Sequence, residues 1–139
     1  RLGPFLGPIL VQLPPKWNAD PGRLEDFLKT TPSDVRWAVE FRDPSWLCRQ
    51  VFDLLKGYNA ALCIHDMIED HPEVVTAGWT YLRYHGGRWG EYPYQKMEAE
   101  ARRVENYLGD GLDVYAFFNN DAHGWAIENV RQLREYVGE

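Results

Sequence analysis

The stretch Trp37-Ala38-Val39-Glu40-Phe41-Arg42-Asp43 is a short apolar run that ends in charged residues, and its pattern decides the fold. The same pattern recurs at residues 10–15, 62–66, 81–86 and 114–121. Runs of this length, rich in aromatic and β-branched residues and separated mostly by helix-like segments, are typical of buried parallel strands. In α/β folds, functional sites lie at the carboxyl ends of such strands. The pattern predicts an α/β protein whose function lies at one end of its sheet.

The segments between the runs predict the first two helices. Asp20-Pro21 has the form of a helix N-cap followed by proline at the first helical position, and it predicts a helix near residues 21–30. Asp43-Pro44-Ser45 predicts the cap of a second helix, which ends at Gly57. A strand over residues 60–65 should follow this helix.

Apolar residues at helical spacing predict two more helices, over residues 97–108 and 126–137, with Asp121 as the N-cap of the last one. The segment from Met67 to Gly78 has no sustained apolar stripe and contains a His-Pro pair. We therefore expect a loop there, which departs from strict alternation of strands and helices.

Composition and charge narrow the function classes. The chain has 139 residues, of which 45% are hydrophobic, and this is enough for one globular domain over residues 1–139. The net charge is -6 and no Lys or Arg block occurs, which disfavours nucleic acid and acidic membranes and leaves small molecules as the default ligand. No apolar stretch approaches the roughly 20 residues of a membrane span. Cys48 and Cys63 form no CxxC pair, which favours two reduced, packed thiols in a cytoplasmic protein over a disulfide or a zinc site.

Alternation along the strands concentrates charge on one face. Glu40 and Arg42 project to the same side of their strand, and so do Arg83 and His85 on theirs. An unpaired buried ion costs several kcal/mol or more, so these charges need partners or a cleft that water reaches. One alternative is an ion-pair cluster, for example Glu40 with Arg83, that fills the sheet interior without any chemistry.

Five segments, taken in order, resemble the YecE-like family of domain-of-unknown-function proteins. They are Leu6-Gly7-Pro8-Ile9-Leu10-Val11-Gln12-Leu13-Pro14-Pro15, Glu40-Phe41-Arg42-Asp43-Pro44-Ser45-Trp46, Ala60-Ala61-Leu62-Cys63-Ile64-His65-Asp66, Tyr81-Leu82-Arg83-Tyr84-His85-Gly86 and Tyr115-Ala116-Phe117-Phe118-Asn119-Asn120-Asp121. The resemblance implies a TIM-like (β/α) barrel of eight strands, of which this chain carries about strands four to eight. The first three strands of the family domain have no counterpart here.

The missing strands should leave two open sheet edges and an uncovered barrel interior. We therefore expect either self-association of the chain or a complementing N-terminal segment that covers the opening.

In an intact barrel the strand ends converge on one cavity, which groups the candidate site residues. Two arginines beside a histidine suit a phosphate or carboxylate, because guanidinium groups bind such anions bidentately. Acidic side chains there could act as a general base, and the histidines could transfer a proton near neutral pH. The catalytic candidates are Glu40, His65, Asp66 and His85, and the ligand-binding candidates are Arg42, Arg83, Asn119, Asn120 and Gln12.

Several of these residues have a structural alternative. Asn119 and Asn120 could instead cap the following turn, and Gln12 could serve the turn that Pro14 and Pro15 shape. The four catalytic candidates include metal-ligand types, but no HxH, HExxH or Asp-rich loop fixes a geometry, so no metal is predicted and any cofactor is left open.

A glycine-rich stretch after the fourth run, residues 86–92, is predicted to be a mobile loop over the cavity. Aromatic residues that flank the fourth strand, namely Trp79, Trp89, Tyr92 and Tyr94, could stack on a sugar or base. For Trp79 and Tyr94 ordinary packing is the favoured interpretation.

Together these features predict an enzyme, a hydrolase or lyase, that acts on an anionic small molecule at the strand ends. A non-catalytic binding protein that uses the same arginines is the first alternative. A metal-dependent nucleic-acid-processing barrel is the second.

Overall fold

In the computed structural model, which describes residues 2–86 and 90–138, five parallel strands form one sheet in chain order. The strands are β1 (Ile9–Gln12), β2 (Trp37–Glu40), β3 (Ala61–His65), β4 (Trp79–Tyr84) and β5 (Asp113–Phe118). Each pairs in parallel with the next strand along the chain. The predicted α/β fold with five parallel strands is confirmed.

The described residues form four α-helices, namely α1 (Pro21–Thr30), α2 (Arg49–Gly57), α3 (Tyr94–Gly109) and α4 (Trp125–Val137). The first begins as predicted, because the Asp20 side chain accepts a hydrogen bond from Arg23 N at 3.0 Å. Its apolar side packs Leu24 and Leu28 into the core.

The predicted start of the second helix is wrong. Asp43 caps a short 3-10 turn, Pro44–Trp46, by accepting from Ser45 N at 3.0 Å, and α2 begins only at Arg49. Tertiary contacts hold Trp46 in place, since its ring stacks on Phe41 at 4.8 Å and its Nε1 donates to Trp17 O at 2.6 Å. The chain must then pass through an extended residue, Cys48, before it can turn into the helix.

The predicted cap of the last helix is also wrong. Asp121 precedes a separate 3-10 turn, Ala122–Gly124, and its side chain makes no capping bond. The N-cap of α4 is Gly124, which has a φ of 77° that suits glycine.

The loop predicted between β3 and β4 is confirmed, because no helix or strand occurs between His65 and Trp79. Thr76, buried in this loop, accepts from Leu62 N at 2.7 Å and donates to Ala60 O at 2.7 Å. One threonine hydroxyl thus pins the loop to the backbone at the start of β3.

The helices cover one face of the sheet and leave the other facing inward. Val39, Phe41 and Leu62 pack against α1 and α2, and Leu82 and Tyr84 pack in the cluster that includes α3 and α4. The opposite faces of the strands form a separate inner cluster of Ala38, Ala61, Cys63, Trp79 and Tyr81. The alternation predicted from the sequence therefore sorts the two layers.

The sheet curls strongly toward its inner face. Arg36, just before β2, donates to Asp113 Oδ2 at 2.5 Å and to the Tyr115 hydroxyl on β5 at 2.9 Å. In a flat sheet these strands would lie about 14 Å apart, three spacings of about 4.8 Å. The five strands therefore form a half-barrel.

The half-barrel is open along two edges. Within the described residues, β1 and β5 each pair along one side only. Phe117 on β5 stacks on Tyr81 at 4.8 Å yet remains 43% exposed. No helix in the described part of the chain is long and apolar enough to cross a membrane.

Candidate functional site at the carboxyl ends of the strands

The carboxylate of Glu40 is the centre of the candidate site. It lies at the end of β2 on the inner face and is fully buried. Arg83 Nη1 donates to its Oε2 at 2.7 Å, and Arg42 Nε donates to its Oε1. One buried carboxylate is thus shared by two guanidinium groups from different strands.

Two amide side chains extend this network. Gln12 Oε1, at the end of β1, accepts from Arg83 Nη1 at 3.0 Å and from Arg42 Nη2 at 3.3 Å. Asn119, directly after β5, accepts from Arg83 Nε at 2.7 Å through its Oδ1. The structure therefore brings together candidates from four strand ends, which we call the mouth network: Gln12, Glu40, Arg42, Arg83, His85 and Asn119.

Charge in the mouth network is unbalanced. Burial alone would raise the pKa of the Glu40 carboxyl, but hydrogen bonds and attraction from Arg83 and Arg42 outweigh burial and hold that pKa below its usual range. Glu40 is therefore ionised at neutral pH and balances one guanidinium. The other positive charge is left over at the mouth, where 15% of the Arg42 and 20% of the Arg83 side chain is exposed.

His85 lies at the edge of this network. Its Nε2 is 3.4 Å from Arg42 Nη2 and 3.7 Å from Glu40 Oε1. Burial and the nearby Arg42 charge lower the pKa of His85, so the ring is neutral at pH 7. In that state Nε2 can accept from Arg42, while the proton lies on Nδ1.

The ring of His65 is committed to the backbone. Met67 N donates to its Nδ1 at 3.1 Å, and its Nε2 lies 2.7 Å from Phe41 O, so Nε2 carries the proton. Burial lowers the pKa of His65 and favours this neutral form. His71, which packs on the same ring at 4.6 Å between centroids, has its pKa lowered by burial to about 4.

Asp66 joins a clamp on the backbone after β4. Its Oδ1 accepts from His85 N at 2.9 Å, and its Oδ2 accepts from the hydroxyl of Tyr92. That hydroxyl in turn accepts from Gly86 N at 2.6 Å. Asp66 and Tyr92 together set the position of the backbone that carries His85.

Asn120 points away from the mouth network. It is buried, and its Nδ2 donates to Gly90 O at 2.7 Å and to Asn129 Oδ1 at 2.8 Å. Its backbone carbonyl accepts from Ala126 N at 3.1 Å at the start of α4. The residue therefore ties the end of the β4–α3 loop to the last helix.

The aromatic residues at the start of β4 and after it have different surroundings. Tyr92 is buried against Tyr84 and Phe118 rather than open for stacking, and Trp79 packs in the inner cluster. Tyr94 is 58% exposed. Residues 87–89, including Trp89 of the predicted mobile loop, lie outside the described residues.

A second charged cluster lies beside the mouth, between the β3–β4 loop and α3. Glu100 is buried there and accepts from the Tyr84 hydroxyl at 2.8 Å, from Lys96 Nζ at 2.6 Å and from Arg103. Arg103 also pairs with Glu73 of the loop at 2.5 Å. A polar cleft of about 220 Å³ reaches from this cluster to Arg83 and His65.

Sequence reasoning missed the roles of three residues near the site. The sequence indicates Tyr92 only as a stacking residue and predicts no role for His71 or Glu100. Their signal is weak in the sequence, because each acts through a partner on another element. Among the described residues, no group of three or more His, Cys, Asp or Glu side chains is arranged to hold a metal ion.

The sequence matches the model of the family described as "Protein of unknown function DUF72" over residues 1–139. The chain belongs to the DUF72 family. This confirms the resemblance inferred from the five strand-end segments.

Relatives of known sequence and structure agree with this membership. The UPF0759 protein YunF of Bacillus subtilis is 24% identical, in an alignment that covers 95% of this chain and 58% of YunF. A crystal structure of a DUF72 family protein from Enterococcus faecalis superposes with a TM-score of 0.82 at 21% identity, covering 95% of this chain and 58% of that one. One from Thermotoga maritima gives a TM-score of 0.72 at 23% identity, covering 94% and 57%. The chain thus spans less than two thirds of the length of these relatives, and the structural likeness supports the half-barrel fold.

Proposed function

We propose that the mouth network binds an oxyanion, the phosphate or carboxylate group of a small molecule. The observation that carries this proposal is the sharing of one buried carboxylate, Glu40, by Arg42 and Arg83. Within the mouth network a single carboxylate, Glu40, faces two arginines, whereas the neighbouring Asp66 is bonded to His85 N and to the Tyr92 hydroxyl. The network therefore has an excess of positive charge that an anion would neutralise.

Unused donors support the same proposal. Arg42 Nη1 and Arg83 Nη2 make no hydrogen bond to any described residue. Both side chains are partly exposed, so a ligand can reach them. Guanidinium donors that are held in place but unpaired suit an oxyanion, because charge-assisted bonds to it are roughly twice as strong as neutral ones.

For a reaction, the best-placed acid or base is His85. It is neutral at pH 7, it contacts Arg42, and 14% of its side chain is exposed toward the mouth. We propose that the whole protein is an enzyme, a hydrolase or lyase, in which His85 exchanges a proton with the anion-bearing substrate.

A specific observation favours a non-catalytic binding protein as the second candidate. Three of the four catalytic candidates are already engaged, since Glu40 pairs with both arginines, His65 bonds the backbone through both nitrogens, and Asp66 holds His85 N and Tyr92. A turnover screen of phosphate esters and small carboxylic acids, repeated with His85→Asn, separates the two. Turnover by the wild type that is lost in His85→Asn supports the enzyme proposal. Binding of these compounds without turnover supports the non-catalytic binding protein.

We also propose that the half-barrel is the later part of a TIM-like barrel, about strands four to eight. The open edges of β1 and β5 and the longer relatives support this proposal. An N-terminal segment or a second copy of the chain would then cover the inner face. Sedimentation tests this: association, or a large gain in stability when the upstream segment is added, is expected, and a compact monomer with sharp unfolding at low concentration would contradict it.

The binding proposal is tested with sulfate, titrated calorimetrically into the chain at low salt. Arg83→Met should weaken sulfate binding by roughly 1.5–3 kcal/mol, because it removes charge-assisted bonds. Arg102→Met, which removes an exposed arginine on α3, is the matched control and should leave the affinity unchanged. Equal affinity in wild type and Arg83→Met would exclude Arg83 from the site.

A further inference from the structure

The amide of Gln12 occupies the gap between the two arginines. Its single Oε1 atom accepts from Arg83 Nη1 at 3.0 Å and from Arg42 Nη2 at 3.3 Å. Only the oxygen can face this gap, because the amide NH₂ would place donors against donors. A neutral oxygen thus bridges two cationic groups.

An oxyanion would suit this position better than an amide. Glu40 holds both guanidinium groups beside this position, through Arg42 Nε and through Arg83 Nη1, which donates to Glu40 and to Gln12, so Arg42 Nη2 and Arg83 Nη1 both point at the bridging position. A charged oxygen adds attraction between opposite charges to these hydrogen bonds, which the neutral amide oxygen does not supply. Gln12 is exposed at the open end of β1, so its side chain can leave without disturbing the core.

We propose that Gln12 is an internal stand-in for the ligand, and that the bound oxyanion displaces its amide and places one oxygen between Arg42 and Arg83. This inference rests on the proposed function of the mouth network. The Gln12 amide then competes with the ligand for the N–H groups of Arg42 and Arg83. Without the ligand, the Gln12 amide oxygen accepts from Arg42 Nη2 and Arg83 Nη1.

The geometry also narrows the ligand. One ligand oxygen would bridge Arg42 Nη2 and Arg83 Nη1. A second oxygen, bonded to the same carbon or phosphorus atom of the ligand, could accept from an unused N–H such as that of Arg83 Nη2. A carboxylate or a terminal phosphoryl group has two such oxygens, whereas a single alkoxide or hydroxyl does not. The ligand class is therefore a small molecule with a terminal carboxylate or phosphate.

The test is calorimetric titration of sulfate and of acetate into the wild-type chain and two variants of Gln12. Gln12→Ala removes the competitor, so both anions should bind roughly threefold to tenfold more tightly, the net worth of about one hydrogen bond in water. Gln12→Glu supplies a permanent carboxylate between the arginines and should weaken both anions at least tenfold. Gln50→Ala, at an exposed glutamine on α2, is the matched control and should have no effect.

The outcomes distinguish the two proposals. Weaker or unchanged binding by Gln12→Ala, with wild-type binding intact, would overturn the stand-in and make Gln12 a ligand contact or a bystander. Failure of both wild type and Gln12→Ala to bind either anion would overturn the proposed function itself. In the double variant Gln12→Ala/Arg83→Met the gain should disappear, and a gain that persists would show that it arises elsewhere than between the arginines. Circular dichroism confirms that each variant is folded.

Discussion

Arg83 Nη1 donates to Oε2 of Glu40 at 2.7 Å. The two residues are 43 positions apart in the sequence, and the Glu40 side chain is fully buried. The contact joins β2 to β4, two strands that are not neighbours in the sheet. Because Arg42 takes the other oxygen, the same carboxylate links the stability of the half-barrel to the charge of its mouth.

Removing the shared carboxylate should destabilise the fold. Glu40→Ala leaves two arginines without their buried partner. Breaking a fully buried pair lowers the free energy of unfolding by about 3 kcal/mol or more, and the loss here should be smaller because both arginines are partly exposed. The free energy of unfolding in urea measures the loss. Glu105→Ala, at an exposed position of α3, is the control and should change it by less than about 0.5 kcal/mol. A Glu40→Ala chain as stable as wild type would mean that the ion pairs add nothing to the fold.

Gly86 should not tolerate a side chain. Its φ is 97°, and a Cβ there would lie 2.5 Å from Asn120 Cβ and 2.9 Å from Gly90 Cα. Gly86→Ala is expected to cost about 2–3 kcal/mol through strain and overpacking. Gly57→Ala at the end of α2, where nothing lies within 4 Å, should be neutral or slightly stabilising. Similar melting temperatures for the two variants would be inconsistent with this packing.

The hydroxyl of Tyr92 should matter although the ring is buried in an apolar cluster. Tyr92→Phe leaves Gly86 N without its acceptor and Asp66 without one donor, and a buried unsatisfied group costs about 1–3 kcal/mol. Tyr58→Phe, at a partly exposed tyrosine, serves as the control. Hydrogen exchange at Gly86 measures the local effect directly, since the amide proton should exchange faster in Tyr92→Phe alone. Unaltered exchange would show that the clamp does not protect this amide.

Anion binding should strengthen as the pH falls. The pKa of His85 is lowered by burial and by Arg42, so the ring is neutral at pH 7 and gains its charge only below its ordinary value of about 6.5. The groups that face it are Arg42, Arg83, Glu40, Asp66 and the ring of His65, whose centroid lies 6.2 Å away. The Glu40 carboxylate stays ionised over this range because its pKa is lowered, and the neutral form of His65 is favoured by burial and by its two backbone bonds. Protonation of His85 therefore adds a positive charge to the mouth.

Sulfate titrations between pH 7.5 and 5 measure this effect, since sulfate keeps its charge throughout. The affinity of wild type should rise toward acid, whereas His85→Asn should give a flat profile. A rise that persists in His85→Asn would assign the titration to another group.

The amino-acid sequence by itself determined the strands and the side of the sheet to which their charges project. Strand formation and the period of two are local, so five apolar runs were enough to predict five parallel strands with Glu40, Arg42, Arg83 and His85 at their ends. The helix that follows Asp20 was predicted for the same reason, because its cap and its proline are adjacent in the chain.

Only the tertiary structure decided which side chains meet. The start of α2 depends on Trp46 bonding to Trp17, and Asp66 became a backbone clamp because Tyr92, 26 residues away, reaches it. Gln12 lies between two arginines because the sheet curls enough to bring β1 to β4, across 71 residues of chain. Such contacts depend on sheet curvature and loop packing. Because both result from interactions among residues far apart in the chain, no local pattern in the sequence predicts them.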